Sequence, residues 1–98
     1  MVQVMRTGEG AATVWQVVGE LDLGSAEVLG AAIVPNGEVR LTLDLSQLTF
    51  IDSSGIHALE RLARRTDCVV VLHDPRPNVR RVFEIVGLDQ HPRISIEP

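Results

Sequence analysis

Lysine and tyrosine are absent from this 98-residue chain, and cysteine occurs once. A glycine-rich phosphate loop takes several glycines and a lysine, so the missing lysine argues against nucleotide binding of that kind. Trp15, Phe50 and Phe83 are the whole aromatic complement. A platform for stacking bases needs more aromatic faces than that, and the core has to be filled by Val, Leu, Ile and Ala. Cys68, standing alone, excludes an intramolecular disulfide and gives no sign of an oxidising compartment. It opens an apolar run and reads as buried packing. No apolar run approaches the roughly 20 residues that span a bilayer. The opening MVQVMRTGEG lacks the basic start, apolar stretch and cleavage site of a secretory leader. The reading is a soluble, cytoplasmic protein without a membrane segment. Thirteen acids oppose nine bases, all arginine, for a net charge of −4, which argues against an electrostatic nucleic-acid binder. His57, His73 and His91 are too scattered to suggest a metal site.

What is present suits one domain, residues 1–98, with enough apolar residues for a single core. Val2 to Arg6 and the later ATVWQVVGEL flank the glycine-containing TGEGA and read as an N-terminal hairpin. In GSAEVLGAAIV, Ser25 is placed to cap a helix in which Ala26, Leu29 and Ile33 recur at helical spacing. PNG at 35–37 ends it. VRLTLDL alternates Val39, Leu41, Leu43 and Leu45 against Arg40, Thr42 and Asp44, the period of a strand with one face inward. A second helix buries Ile56, Leu59, Leu62 and Ala63 and leaves His57, Glu60, Arg61, Arg64 and Arg65 outside, with Glu60 and Arg64 at a favourable ion-pair spacing. CVVVLH is the unbroken apolar run of a strand covered on both faces. His73 and Asp74 stand at its end and start the next turn. RPNVRRVFEIVGL puts Val79, Val82, Phe83 and Val86 on one face of a third helix, opened by Pro77 and stopped by Gly87. RISIEP closes the chain as a strand. The order is two strands, then helix, strand, helix, strand, helix, strand. It predicts an α/β fold with a mixed sheet of about four to five strands, an N-terminal hairpin and right-handed crossovers, covered by about three to four helices.

The informative stretch is TFIDSSGIHALERLARR, residues 49–65: an apolar run ending in Asp52, then Ser53, Ser54 and Gly55, then a helix. A serine nucleophile of the elbow type requires Gly-x-Ser-x-Gly and a positioned base. The first glycine is missing here, and His57, three residues on in the same helix, points along the solvent side. An anion cradle fails for want of glycines and lysine. The plain reading is a helix cap, with Asp52, Ser53 or Ser54 accepting from the first-turn amides. A modification site adds one step. The helix dipole and unpaired amides favour a phosphate at such a serine by about 0.3–1 kcal/mol. A partner docked over it meets about −1.5 to −2 new charge beside Asp52. The expected output of modification is then loss of binding without unfolding.

GELDLGSAEVL at 19–29, LTLDLSQLTFIDSSGIHAL at 41–59 and PNVRRVFEIVGLDQHPRI at 77–94 resemble, in order and spacing, the STAS domain of bacterial anti-anti-sigma factors. The resemblance covers nearly the whole chain, and D-S-S-G after the L-x-F-I-D strand end is its most specific part. It implies a partner-switching protein with no enzymatic activity and no cofactor or metal of its own. The unphosphorylated form would bind an anti-sigma factor with a histidine-kinase-like ATPase fold and so free the sigma factor. That partner would phosphorylate the domain, and a metal-dependent PP2C-type phosphatase would reverse the step. By position the phosphoacceptor is Ser54, with Ser53 next. Asp52 precedes the pair as in the family, Asp22 is similar to the acid near the site, and Gly55 permits close backbone approach. His57, Glu60, Arg61 and Arg64 would belong to the docking face. The alternative is a STAS scaffold or transporter-associated regulatory subunit that is never phosphorylated. Only ERLARRTD separates HAL from CVVVLH, so the second helix is expected to lose a turn. Nothing in the sequence demands more than a monomer.

Overall fold

The structure is a computed structural model that describes residues 1–10, 13–35 and 37–98. Strands β1 (Val2–Thr7) and β2 (Val14–Leu21) precede helix α1 (Ala26–Ala32), strands β3 (Arg40–Asp44) and β4 (Leu48–Ile51) and helix α2 (Ser53–Arg65). Strand β5 (Val69–His73), helix α3 (Pro77–Val86), a 3-10 turn (Leu88–Gln90) and strand β6 (Ile94–Glu97) complete the chain. The first two strands pair antiparallel from Val2 opposite Gly19 to Thr7 opposite Val14, the expected hairpin. Part of its connection, residues 11–12, lies outside the described residues, as does Asn36 of the turn expected to end α1. All other pairings among the described residues are parallel, in the order β1-β2-β3-β5-β6 with β4 also on β2.

Two strands occupy the segment before α2, where the sequence order has one. The first part of β2, Val14 to Gln16, pairs with β3, and its last part, Gly19 to Leu21, pairs with β4. Between them the chain jogs: the Asp44 carboxylate accepts from the Ser46 amide at 2.9 Å, and the Leu48 amide donates to the Leu45 carbonyl at 3.0 Å. A side chain that bonds its own backbone two residues on competes with the ladder and turns the chain. Gly19, at φ 104°, sits where the register shifts, and a Cβ there would run into the Met1 carbonyl.

Leu41 and Leu43 of β3, with Leu45 just beyond its end, Val70 and Leu72 of β5 and Ile94 of β6 line one sheet face. They join Leu29 and Ile33 of α1 and its flank, Ile56, Leu59, Leu62 and Ala63 of α2, and Val79 and Phe83 of α3 in one buried cluster. Paired positions such as Leu43 and Leu72 share a face because parallel partners project to the same side. Val71 is also buried, so Val70 to Leu72 of β5 are covered on both faces, as a central strand requires, and His73 at its end is exposed. Cys68 is buried too and donates its thiol to the Glu38 carbonyl at 2.9 Å.

Two expected core residues lie outside it. Val39 is 80% exposed because the ladder begins only at Arg40, paired with Val69. Val86 is half exposed in the last turn of α3, and Leu88 of the following 3-10 turn is buried instead. Helix α2 runs thirteen residues, and three residues, 66–68, connect it to β5. Pro77 opens α3, Gly87 in the left-handed conformation closes it, and Asp74, at φ 54°, makes the turn after β5.

Candidate docking and modification site

Parallel pairing sets the geometry of the D-S-S-G block. Leu21 at the end of β2 stands opposite Ile51 at the end of β4, so Asp22 and Asp52 leave neighbouring strand ends side by side. The Asp52 amide still donates to the Leu21 carbonyl at 3.3 Å. This is the carboxyl end of the sheet, where α/β folds display their functional groups.

Asp52 is the N-cap of α2. One carboxylate oxygen accepts from the Ser54 amide at 2.9 Å and the Gly55 amide at 3.1 Å, while its carbonyl accepts from the Ile56 amide at 3.0 Å. The cap is therefore aspartate's alone. Ser53 is exposed and Ser54 half-buried, and neither hydroxyl has a hydrogen-bond partner among the described residues. The first-turn amides expected to favour a phosphate are largely taken by Asp52, which leaves the dipole as the favourable part. Gly55 is buried, and a Cβ on it would strike the Leu21 carbonyl and come within 2.7 Å of Ile51 Cγ1. Only glycine lets α2 begin this close to the strand ends.

Asp22 is held from the other side. Ser25 occupies the N-cap position of α1 but makes no side-chain cap bond, contrary to the sequence expectation. Ser25 is 4% exposed, and its hydroxyl lies 2.7 Å from Asp22 Oδ1 and 2.8 Å from the Glu20 carbonyl, and accepts from the Asp22 amide at 3.0 Å. Bonding a serine to its acidic neighbour satisfies more of the tight 22–25 turn than a cap would. The Ser25 hydroxyl beside it lowers the Asp22 pKa from its ordinary value, since hydrogen bonding favours the charged form. Next to this acid Leu23 is 81% exposed.

Along α2, His57, Arg61 and Arg64 are exposed and Glu60 is half-buried. The i, i+4 pair Glu60 and Arg64 forms no ion pair among the described residues. Arg65 has a role that its place in the exposed set did not reveal. It reaches across to α1 and donates to the Gly30 carbonyl at 2.9 Å and the Ile33 carbonyl at 2.8 Å. Helix α1 has no basic residue in its own last turn, so its terminal carbonyls are satisfied from the neighbouring helix. The site thus unites Asp22, Asp52, Ser53, Ser54 and Gly55 at one strand mouth, and the exposed side of α2 leads away from it. His57 makes no hydrogen bond to Ser54, and the arrangement offers hydroxyls to an external reagent rather than a nucleophile with its own base.

Comparison with known proteins gives a consistent picture. Residues 4–97 match the family model described as "Mlab, STAS domain". BtrV of Bordetella bronchiseptica, named for an assigned role as an anti-sigma factor antagonist, is 38% identical over 74 residues. That match takes in 72% of this chain and 64% of BtrV, a little under two thirds of the relative's length. An anti-sigma factor antagonist from Mycobacterium paratuberculosis superposes with a TM-score of 0.77 at 22% identity, covering 97% of this chain and 86% of that one. The Bacillus cell fate determinant SpoIIAA in its phosphorylated form gives 0.62 at 24% identity, covering 96% and 90%. At such identities the structural matches establish the fold. No described helix is long and apolar enough to cross a membrane.

Proposed function

The chain belongs to the STAS-domain family, and we propose that it serves there as a phosphorylation-controlled anti-anti-sigma factor. Unmodified, it binds an anti-sigma factor with histidine-kinase-like serine kinase activity and so releases a sigma factor in the cytoplasm. Phosphate on Ser54 ends that binding, a PP2C-type phosphatase restores it, and the domain itself catalyses nothing. Ser53 is the second candidate acceptor.

One observation carries the reading. Asp52 alone caps α2, so the two serine hydroxyls beside it are spared from any structural task at the rim of the domain. A phosphate there brings about −1.5 to −2 charge beside the carboxylates of Asp52 and Asp22. In the free domain that charge lies against water and the positive end of the helix dipole, which is worth about 0.3–1 kcal/mol in its favour. Under a docked partner the same charge is desolvated among like charges, which costs several kcal/mol. The larger penalty falls on the complex, so the modification releases the partner and leaves the fold intact. The relatedness to BtrV and the occurrence of SpoIIAA in a phosphorylated form are in keeping with this scheme.

The test is intact-mass and tandem mass spectrometry after incubation with ATP and the anti-sigma-like ATPase encoded nearest to this chain. One phosphate on Ser54, absent from Ser54→Ala, is the expected result. Phosphate retained in Ser54→Ala moves the site to Ser53. No incorporation by a kinase active on another substrate, with binding by the unmodified domain intact, makes the protein an unphosphorylated scaffold.

A further inference from the structure

A second feature of the same surface lies beyond the serines. Between α1 and α2 runs an open groove of about 580 Å³. Its floor includes the small residues Ala26, Gly30 and Ala58, and its wall on the α2 side carries Arg61, Arg64 and Arg65. Glu27 is the one carboxylate lining it, and no ion pair joins Glu27 to any of the three among the described residues. Arg65 is spent on the α1 carbonyls, whose bonds leave its positive charge unmatched by any acid. Arg61 and Arg64 are exposed and have no protein partner among the described residues. In a chain of net charge −4, three guanidinium groups around one groove are a local reversal of sign.

We propose that this groove is a docking surface for an acidic segment of a protein partner, which sets apolar side chains on the Ala26, Gly30 and Ala58 floor and carboxylates on Arg61 and Arg64. The inference rests on the partner-switching reading, because it assigns the segment to the protein that also covers Ser54. Helical periodicity makes one partner sufficient. Residues 54, 57, 61 and 64 follow the i, i+3, i+7, i+10 spacing, so Ser54, His57, Arg61 and Arg64 form one stripe along α2. At about 1.5 Å per residue the arginines stand roughly 10 to 15 Å from the serine. A standard interface buries about 800 Å² on each side, a patch roughly 30 Å across, and takes in both. Planar guanidinium groups match carboxylates two bonds at a time, which suits arginine to this task. The C-terminal dipole of α2 accounts for a base in the last turn, at Arg64 and Arg65, but not for Arg61 one turn earlier. A nucleic-acid backbone is disfavoured by Asp22 and Asp52 at the head of the same face.

The experiment is a calorimetric titration of the full chain with the anti-sigma-like ATPase encoded nearest to it, at low and moderate salt. Wild type, Arg61→Glu/Arg64→Glu, Arg61→Lys/Arg64→Lys and Ser54→Asp are compared, with Arg65 left in place because it pins α1. The expected result is a Kd raised at least tenfold by charge reversal, with partial recovery in the lysine pair and a weaker salt dependence in the reversed pair. Circular dichroism melts within a few degrees of wild type make the loss one of contact rather than folding. Reversed arginines that bind within twofold of wild type, while Ser54→Asp binds weakly, overturn the groove and leave the switch standing. Equal binding by wild type and Ser54→Asp overturns the switch, and a partner that binds no form overturns both. A 20-base-pair duplex DNA that binds wild type as tightly as the ATPase does and loses the charge-reversed variant would give the groove to phosphate backbones and overturn the acidic protein segment.

Discussion

Leu21 and Ile51 stand opposite each other at the ends of two parallel strands, and this pairing brings Asp22 and Asp52, thirty residues apart in sequence, to one edge of the domain. Each carboxylate is then fixed through one oxygen, Asp22 by the Ser25 hydroxyl and Asp52 by the Ser54 and Gly55 amides. The acids are built into the turn and the helix start. The hydroxyls of Ser53 and Ser54 are not.

Replacing Ser54 by Asp should therefore leave the fold nearly as stable as wild type. Ser54 is half-buried, but its hydroxyl bonds nothing in the fold, and a substitution that breaks no buried contact stays within about 0.5 kcal/mol, which for a domain of this size is a Tm shift of about 2–4 °C. Binding to the anti-sigma partner should fall at least tenfold by calorimetry. A Tm collapse with binding unchanged would contradict the assignment.

Asp52→Ala removes the acceptor for two amides. Loss of such a cap costs about 0.5–2 kcal/mol, read as a Tm lower by roughly 4–8 °C per kcal/mol. Asp52→Asn keeps an oxygen at the same place and should recover most of the loss. Equal melting of the Ala and Asn variants would remove the cap from the account of this helix.

Gly55→Ala forces a methyl group against the Leu21 carbonyl and the Ile51 side chain. Backbone cannot give way as a flexible side chain does, and overpacking of this kind costs about 1–3 kcal/mol. Gly24→Ala is the control, since the nearest atom to a Cβ there is Asp22 Oδ1 at 3.8 Å. Chemical denaturation of the two variants should separate them clearly, and similar midpoints would count against the tight start of α2.

The pH dependence of Asp22 follows from its lowered pKa. A carboxylate that is more acidic in the folded state contributes stability that is complete at neutral pH and is lost as pH falls through the lowered value. Ser25→Ala takes away the hydroxyl that is the main cause. The Asp22 carboxyl carbon, followed by NMR, should then titrate at higher pH than in wild type. Superimposable titrations would show that Ser25 does not hold the charge.

Much of the architecture was legible in the residues because period and turn chemistry act locally. The hairpin, the three helices, the apolar β5 run and the stop at Gly87 all follow from patterns within a dozen residues. So does the D-S-S-G block, whose aspartate precedes a helix in the order a cap requires. The sequence by itself thus determined that two hydroxyls stand at a helix start after a strand, and its resemblance to a family supplied their use.

Tertiary structure alone decided what long-range pairing controls. Whether Val39 to Ile51 is one strand or two depends on β2, which offers its first part to β3 and its last part to β4. Ser25 reads as a cap, yet the fold turns its hydroxyl to Asp22, because the turn that carries both brings them within 2.7 Å. Arg65 reads as solvated, yet it closes the end of a helix more than thirty residues away in sequence. The groove beside it exists only because α1 and α2 lie together. Periodicity tells which side of a segment is apolar. Only packing tells which neighbour that side meets, since contacts between distant residues are set by the whole core at once.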